Sequence, residues 1–152
     1  MPISGLGVPV LSKSGIHLIR AVACLARLRE EQFVGAGELA RSIDAPGNYL
    51  GKLLQTLARL GLVESRKGVG GGFRLARDPA SLSLLEVVDP VEQISRWTGC
   101  ILGNRDCSDE QPCAVHDQWG DLRRRYMKLL SETTIQDILA DPNFEILQRR
   151  DP

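Results

Sequence analysis

Residues 62–77 read LVESRKGVGGGFRLAR, and this stretch decides the fold. The segments on either side of its glycines predict two short strands, over residues 62–67 and 73–77, joined by a tight turn. Glycines of this kind also occur in phosphate-binding loops, but the trailing lysine and hydroxyl residue of a P-loop are absent. The stretch therefore predicts a β-hairpin that contacts nucleic acid. Its positive charge comes from Arg66, Lys67, Arg74 and Arg77.

Two short helices are predicted immediately before the hairpin, over residues 38–43 and 48–60, with the breaker residues 45–47 between them. Leucines recur along one face of the second helix, while its opposite face is polar and basic. An ordinary helical hairpin has the same pattern. Because a basic β-hairpin follows, the pair is typical of a winged helix-turn-helix, whose second helix enters the major groove of DNA. The polar face consists of Asn48, Lys52, Gln55 and Arg59.

The segment before this unit predicts a central helix. Ser12 or Ser14 can cap it, and it runs to about residue 29. Apolar residues cover most of its circumference, so we expect it to be largely buried. Cys24 belongs to this apolar set and is interpreted as a small core side chain, with a metal-ligand role as the weaker alternative.

The segment after the hairpin predicts another helix, over residues 81–88. Ser83 and Glu86 have the spacing of a capping box. The proline in residues 89–90 is expected to interrupt this helix, and a second helical turn is predicted over residues 91–97.

A long helix is predicted near the C-terminal end, between residues 115 and 133. Its apolar and aromatic residues are spaced four, three, four and three apart, which gives a heptad-like seam. A single helix packed on its own domain has the same pattern, but the length and the aromatic residues favour contact with a second copy of the chain. A further short helix is predicted over residues 135–139. The seam consists of Val115, Trp119, Leu122, Tyr126 and Leu129.

Three of the four cysteines and one of the two histidines lie within residues 100–116, with the spacing Cys-x6-Cys-x5-Cys-x2-His. Thiolates and an imidazole bind zinc or an iron–sulfur cluster, and clustered thiols also serve as redox groups. The spacing lacks the Cys-x2-Cys pair of a zinc finger, and its long spacers suit a loop wrapped around a cluster. From the residues alone, all three interpretations stay open. The candidate ligands are Cys100, Cys107, Cys113 and His116.

Length, net charge and the absence of several sequence patterns limit the class of protein. The 152 residues suffice for one domain whose core needs no disulfides, and the net charge is zero. The sequence shows no signal-peptide pattern and no apolar run long enough for a membrane helix, so we expect a cytoplasmic protein without a membrane partner. It also shows no nucleophile–base pair with a recognisable spacing and no nucleotide motif, so we do not expect an enzyme.

Residues 11–140 resemble the Rrf-type winged-helix regulators, the family of the bacterial iron–sulfur regulator IscR and the nitric-oxide sensor NsrR. The resemblance is carried by LSKSG at 11–15, YL at 49–50, LGLV at 60–63, RKGVGGGFRL at 66–75, LLEVV at 84–88 and the spaced cysteines. It implies a bacterial homodimer on a pseudo-palindromic operator in double-stranded DNA, with the third helix in the major groove and the hairpin at the minor groove or adjacent backbone. The expected DNA contacts are Ser14, Asn48, Tyr49, Lys52, Gln55, Arg66, Lys67, Gly70, Gly71 and Arg74.

The resemblance also implies a cofactor. In IscR-like proteins, three cysteines and a histidine bind a 2Fe-2S cluster, and the four candidate ligands occupy the matching positions. NsrR-like sensors hold a 4Fe-4S cluster with an acid near the start of the partner's first helix, and residues 15–17 here contain none. This favours 2Fe-2S, with 4Fe-4S as the other choice. His17 is either a cross-subunit ligand or a histidine that is exposed or at the core edge.

Two positions depart from the family pattern. The first spacer of the cysteine segment has six residues where the family usually has five. Gly51 stands where IscR has a glutamate that takes part in sequence discrimination. The target sequence of IscR is therefore not transferred to this chain.

The expected fold is mainly α with a small β-hairpin, a winged helix-turn-helix plus a long C-terminal dimerisation helix. Its segments are an irregular arm (1–11), a winged-helix DNA-binding domain (12–97), a cluster-binding loop (98–116), a dimerisation region (117–140) and a tail (141–152). The expected function is a transcriptional regulator that senses redox state, nitric oxide or iron–sulfur status, because loss or oxidation of a cluster biases the spacing of the two recognition helices. The alternative is a winged-helix protein that binds zinc, or uses redox thiols, and acts through protein partners.

Overall fold

The computed structural model describes residues 10–97, 99–104 and 107–146. In this part of the chain it is mainly helical with one two-stranded antiparallel sheet, as the sequence predicts. Two short 3-10 turns, Pro79–Ser81 and Ile94–Arg96, lie before and after the fourth helix. The main elements are α1 (Lys13–Ala26), α2 (Ala36–Ile43), α3 (Gly47–Arg59), β1 (Val63–Arg66), β2 (Gly72–Leu75), α4 (Leu84–Glu92), α5 (His116–Glu132) and α6 (Ile135–Ala140).

Parts of three predicted segments lie outside the described residues. They are residues 1–9 of the arm, residues 98, 105 and 106 of the cysteine loop, and residues 147–152 of the tail. The sixth residue of the first cysteine spacer, at position 106, belongs to this set.

Helix α1 is the centre of the core. Ser12 is its N-cap, because the Ser12 hydroxyl accepts a hydrogen bond from the Gly15 amide at 3.2 Å. The helix ends at Ala26, three residues before the predicted end. Its side chains pack against α2, α3, α4, α6 and β2, which confirms that it is central. Its buried residues are Gly15, Leu18, Ile19, Ala21, Val22, Ala23 and Leu25.

Helices α2 and α3 form the predicted helix-turn-helix pair. Asp44 adopts a left-handed conformation (φ 55°) that ends α2, and α3 begins at Gly47. The leucine face of α3 is buried, as expected, at Leu50, Leu54 and Leu57. Leu60 is an exception at 58% exposure, because α3 ends at Arg59 and Leu60 is already its C-cap.

The hairpin has the predicted position but shorter strands. Val63 pairs with Leu75 and Arg66 with Gly72. Phe73 is buried and joins the hairpin to the segment before α2, since its backbone exchanges hydrogen bonds with Val34 at 2.8 and 2.9 Å. These two bonds fix β2, near the turn end of the hairpin, beside the helix-turn-helix pair.

Helix α4 differs from its prediction. It starts at Leu84 with the expected capping box of Ser83 and Glu86, but it continues through Pro90 to Glu92. Tertiary packing overrides the proline here, because Val87 and Val88, just before it, are fully buried. The second helical turn predicted over 91–97 is wrong in extent, and only the 3-10 turn Ile94–Arg96 follows.

The C-terminal helices return to the same core. Leu130 of α5 and Ile135 of α6 are buried together with residues of α1 and α4. The backbone amide of Leu84 donates to the Thr133 carbonyl at 2.9 Å, and that of Ile135 donates to the Leu82 carbonyl at 2.9 Å. The C-terminal end of α5 is thereby tied to the start of α4. Among the described residues, no helix is both long enough and apolar enough to cross a membrane.

We expect Leu54→Ala to lower the free energy of unfolding by about 2–5 kcal/mol, because Leu54 is fully buried in the core. The matched control is Leu60→Ala in the exposed C-cap of the same helix, with an expected change within about 0.5 kcal/mol. Chemical denaturation followed by circular dichroism at one fixed protein concentration measures both variants. Equal losses in the two variants would contradict this assignment of the core face.

Candidate DNA-binding surface and metal centre

The outer face of α3 is exposed and lines an open groove of about 760 Å³ between α2, α3 and the hairpin. Gln55 reaches across to the hairpin, where its side-chain amide donates to the Ser65 hydroxyl at 3.4 Å. This bond connects the polar face of α3 to β1. The residues of this face that line the groove are Asn48, Lys52, Gln55 and Arg59.

Gly51 lies in the middle of this face. A Cβ atom built on Gly51 would lie 3.5 Å from the Ala36 Cβ, which is ordinary van der Waals contact. At Gly51, between Asn48 and Lys52, no side chain covers the backbone of α3, and Ala36 of α2 is its nearest neighbour. The position at which IscR carries a glutamate is consequently a gap in the polar face.

Tyr49 is half-buried and faces α1 more than the groove. Its ring lies edge-on to His17, with the ring centroids 6.2 Å apart. Burial, with a smaller contribution from Glu92, raises the pKa of Tyr49. His17 lies at the core edge, as one of its two interpretations predicts. Ser14 is half-buried in the first turn of α1.

His17 has an unusual environment. Burial is the largest cause that lowers its pKa, followed by the charges of Arg20 and Lys13. Its Nδ1 atom is buried without a hydrogen-bond partner in the described part of the chain. Burial thus disfavours the charged form of this imidazole, which packs edge-on against Tyr49.

The tip of the hairpin is built from glycines that no other residue can replace without strain. Gly68 and Gly70 have φ values of 89° and 76°, in the region that favours glycine. A Cβ atom at Gly71 would overlap the carbonyl of Arg66. Lys67 and Val69 are exposed beside these glycines, so the tip presents one cation and one apolar side chain to solvent.

The basic residues of the hairpin have different roles. The Arg74 guanidinium binds the Glu64 carboxylate at 2.7 Å and donates to the Glu30 carbonyl at 3.1 Å. Arg77 is paired with Glu86 at 2.7 Å, away from the tip. The charge of Arg74 is thus partly neutralised inside the protein. Sequence reasoning missed Glu64, although the hairpin register places residues 64 and 74 directly opposite each other.

Phe33 was also missed, and no sequence pattern marked it. The Arg66 and Arg74 guanidinium groups lie over its ring, 4.4 and 4.7 Å from the centroid. These cation–π contacts hold both arginines against the segment that leads into α2. Arg66 remains exposed, so it and Lys67 carry the positive charge of the hairpin surface.

The structure brings the four candidate metal ligands together as two pairs. The sulfurs of Cys100 and Cys113 are 3.7 Å apart. The sulfur of Cys107 is 3.3 Å from Nδ1 of His116, the first residue of α5. In the portion of the chain that is described, no three Cys, His, Asp or Glu side chains surround a single metal position.

These separations fit tetrahedral metal ligation in pairs. With bonds of about 2.3 Å to sulfur and about 2.1 Å to nitrogen, a tetrahedral ion holds two sulfurs about 3.8 Å apart and a sulfur and a nitrogen about 3.6 Å apart. The Cys100–Cys113 separation matches the first value, and the Cys107–His116 separation is slightly below the second. The donor set therefore fits two metal positions with two protein ligands each.

Asp109 orients the histidine. Its carboxylate oxygen lies 2.8 Å from Nε2 of His116. An ionised carboxylate only accepts, so Nε2–H donates to it, and Nδ1 is the ring nitrogen that faces Cys107, an arrangement that metal-binding histidines commonly show. Sequence reasoning missed Asp109, although a carboxylate close to a candidate histidine ligand was the available signal.

The pKa values of the Cys100 and Cys24 thiols are shifted in opposite directions. The backbone amide of Leu102 is the largest cause that lowers the pKa of the Cys100 thiol, with Cys113 and Asn104 adding to it. Burial raises the pKa of Cys24, which is partly buried against the core. Cys24 therefore has the expected packing role, although it is not fully buried.

The predicted dimer seam on α5 divides into two halves. Trp119 donates its indole N–H to the Gly99 carbonyl at 3.2 Å, and Tyr126 stacks on Trp97 with centroids 5.8 Å apart. Leu122 and Leu129 are 59% and 57% exposed. Val115, the N-cap of α5, is half-buried. The aromatic half thus holds the start of the cysteine loop, and the leucine half faces solvent.

Comparison with known proteins agrees with this architecture. The profile of the Rrf2 family, "Iron-dependent Transcriptional regulator", matches residues 11–141. The chain is 29% identical to IscR of Vibrio vulnificus over 142 residues, which cover 93% of this chain and 84% of IscR. The global cysteine regulator CymR of B. subtilis has a TM-score of 0.71 at 21% identity and covers 86% of this chain and 95% of its own.

T. potens IscR has a TM-score of 0.68 at 23% identity and covers 89% of this chain and 87% of its own. At these identities the two structures show the fold alone, and they confirm the winged helix. The relatives are transcriptional regulators rather than enzymes. Since the profile spans most of the sequence, this chain belongs to the Rrf2 family of DNA-binding transcriptional regulators.

Proposed function

We propose that the chain binds a pseudo-palindromic DNA operator as a homodimer, and that an iron–sulfur cluster held by Cys100, Cys107, Cys113 and His116 controls this binding. The observation that carries the proposal is the two-plus-two arrangement of these ligands, at 3.7 and 3.3 Å, at the point where the loop enters α5. Redox state, nitric oxide or iron–sulfur status is then the signal.

The pairing supports a 2Fe-2S cluster over the alternatives. Each iron of a two-iron cluster takes two protein ligands, and in Rieske centres histidines replace the cysteines on one iron. In a four-iron cluster each ligand binds a different iron, so no two ligands need to lie one tetrahedral edge apart. A single zinc ion requires four ligands around one point. Two separate pairs suit the two-iron case best.

The surface proposed for DNA consists of the outer face of α3 and the tip of the hairpin. Asn48, Lys52 and Gln55 face the groove, where they can reach base edges. Arg66 and Lys67 supply phosphate contacts beside the backbone of Gly70 and Gly71. Arg74 is assigned to the support of the hairpin instead, because Glu64 holds it.

A continuous set of contacts links the loop to this surface. Arg123 of α5 donates to the Trp97 carbonyl at 2.7 Å, and Tyr126 contacts both Trp97 and the Val10 carbonyl at 3.3 Å. Val10 leads directly into α1, which packs on α3. When bound, a cluster changes the charge of the loop on oxidation, reduction or loss. The chain responds only as far as its two arrangements bind DNA differently.

The proposed dimer contact uses the solvent half of the seam. Leu122 and Leu129 are seven residues apart, so they lie on the same side of α5, and both are exposed. A second copy of α5 placed there would bury both leucines without disturbing the contacts of Trp119 and Tyr126.

DNA affinity should fall steeply with salt, and Lys67→Ala should reduce the slope of log K against log[salt] by about one per protomer. Lys67 is exposed beside the glycine tip, so its neutralisation removes a phosphate contact without disturbing the core. Fluorescence anisotropy on a duplex selected from a random pool measures the slope. Lys128→Ala on the outer side of α5 is the control and should leave it unchanged. A salt-insensitive interaction would count against the hairpin assignment.

Protein purified without oxygen should contain about two iron atoms and two acid-labile sulfides per chain, with visible absorption of a 2Fe-2S cluster. Cys113→Ala should lose both, because Cys113 supplies one of the paired sulfurs. Cys24→Ala is the matched control and should retain them, since Cys24 packs against the core. His116→Ala should lower the iron content, while His17→Ala should not. Stoichiometric zinc without sulfide would refute the cluster.

Leu122→Glu combined with Leu129→Glu should shift the protein toward the monomer in sedimentation velocity, because the paired seam would then bury charge. Ser131→Glu, on an exposed side of the same helix away from the leucines, is the control. Unchanged circular dichroism in the double variant separates a lost interface from a lost fold. A double variant that stays fully dimeric would show that the interface lies elsewhere.

A further inference from the structure

We propose that Cys100 and Cys113 form an intramolecular disulfide when the loop holds no metal, and that this bond is a reversible lock on the loop. The disulfide is inferred from the positions of the thiols alone. Its consequence, exclusion of the cluster, rests on the function proposed above. The two claims are therefore tested separately.

The first argument is proximity. The Cys100 and Cys113 sulfurs are 3.7 Å apart, and a disulfide requires about 2.05 Å. Both cysteines lie outside the helices and strands, so the backbone on either side is not fixed by a helix or a ladder of hydrogen bonds while the remaining gap closes. Both thiols are free and half-buried, so a small reagent can reach them from solvent.

The second argument is selectivity among the four thiols. Cys107 faces Nδ1 of His116 at 3.3 Å, and Cys24 lies on α1, packed against the core. The loop around Cys100 is exposed at Ile101 and Leu102, so closing the bond displaces no buried apolar side chain there. The choice of Cys100 with Cys113 rests on the contact between their two sulfurs at 3.7 Å.

The oxidant belongs to the class of small disulfides, with oxidised glutathione as the example. One protein thiolate attacks a sulfur of the oxidant, breaks its S–S bond and releases one glutathione thiolate. The other protein thiolate then attacks the mixed disulfide and releases the second thiolate. The two protein thiols give up two electrons and two protons, and the small disulfide gains both to become two thiols.

The bond changes what the loop can bind. Its formation consumes one of the two ligand pairs and leaves Cys107 and His116 as the other pair. Two ligands cannot satisfy a two-iron cluster that takes four. The oxidised loop therefore has to be reduced before it can hold the cluster, so a reductant of the disulfide, a thiol or sulfide, becomes a condition for loading.

The disulfide is tested on cluster-free, reduced, full-length protein treated with oxidised glutathione, alkylated and analysed by mass spectrometry. Trypsin cleavage after Arg105 and glutamyl-endoprotease cleavage after Glu110 place Cys100, Cys107 and Cys113 on three different peptides. We expect a cross-link between the peptides of Cys100 and Cys113, with Cys107 and Cys24 alkylated. Cys107→Ser should keep this cross-link, and Cys100→Ser should lose it.

Several outcomes would overturn the proposal. They are a cross-link that contains Cys107, a lasting glutathione adduct without a cross-link, and a full count of alkylated thiols after oxidation. Circular dichroism of the treated protein guards against unfolding as the cause of any cross-link. Treatment with dithiothreitol should restore all four thiols.

The consequence is tested by adding ferrous iron and sulfide without oxygen to reduced protein, oxidised protein, and oxidised protein then reduced. Because sulfide also cleaves disulfides, the cross-link is measured again in each sample by mass spectrometry. We expect cluster uptake, measured by visible absorption, only in protein that has lost the cross-link. Uptake by protein that keeps the cross-link would refute the lock. If the reduced protein takes up no cluster, the proposed function fails while the disulfide result stands, so the two failures are distinguishable.

Discussion

The burial of α1 is the constraint on which the rest of the structure depends. A helix that is apolar around most of its circumference has to be covered on every side, and α2, α3, α4, α6 and β2 provide that cover. The orientation of each of these elements is therefore set by its packing against α1. The outer face of α3 and the base of the hairpin point in fixed directions because their inner faces share this helix. A movement of α1 would therefore shift both α3 and the hairpin.

The start of α1 is held by the two helices that flank the cysteine loop. Glu92, the last residue of α4, accepts hydrogen bonds from the backbone amide of Ser12 at 2.9 Å and from the Ser12 hydroxyl. A carboxylate at a helix N-terminus is favourable because it complements the helix dipole. Tyr126 secures the adjoining Val10 from the α5 side. The cysteine loop connects α4 to α5, so both attachments of the α1 N-terminus flank the candidate metal ligands.

Sequence reasoning reached most of the fold because periodicity and turn chemistry are local. The capping box at Ser83, the leucine face of α3 and the glycine turn all depend on residues close in the chain. It went wrong at Pro90, where burial of neighbouring valines outweighs a local preference. It also treated Arg74 as a free cation, because the strand register that brings Glu64 opposite it is not visible from composition. The ligand pairing was equally invisible, since spacing fixes which residues can meet but not which do.

The seam of α5 shows that the heptad spacing of apolar residues does not reveal whether they pack within the chain or against another molecule. Trp119 and Tyr126 occupy one edge of the stripe and are satisfied within the chain, while Leu122 and Leu129 occupy the other edge and are not. All four recur at heptad spacing, so the sequence presents them as one surface. The division has a mechanical consequence. One helix carries the loop anchor on one edge and the proposed dimer contact on the other, so in the proposed dimer a rearranged loop would tilt that contact and change the distance between the two DNA-binding units.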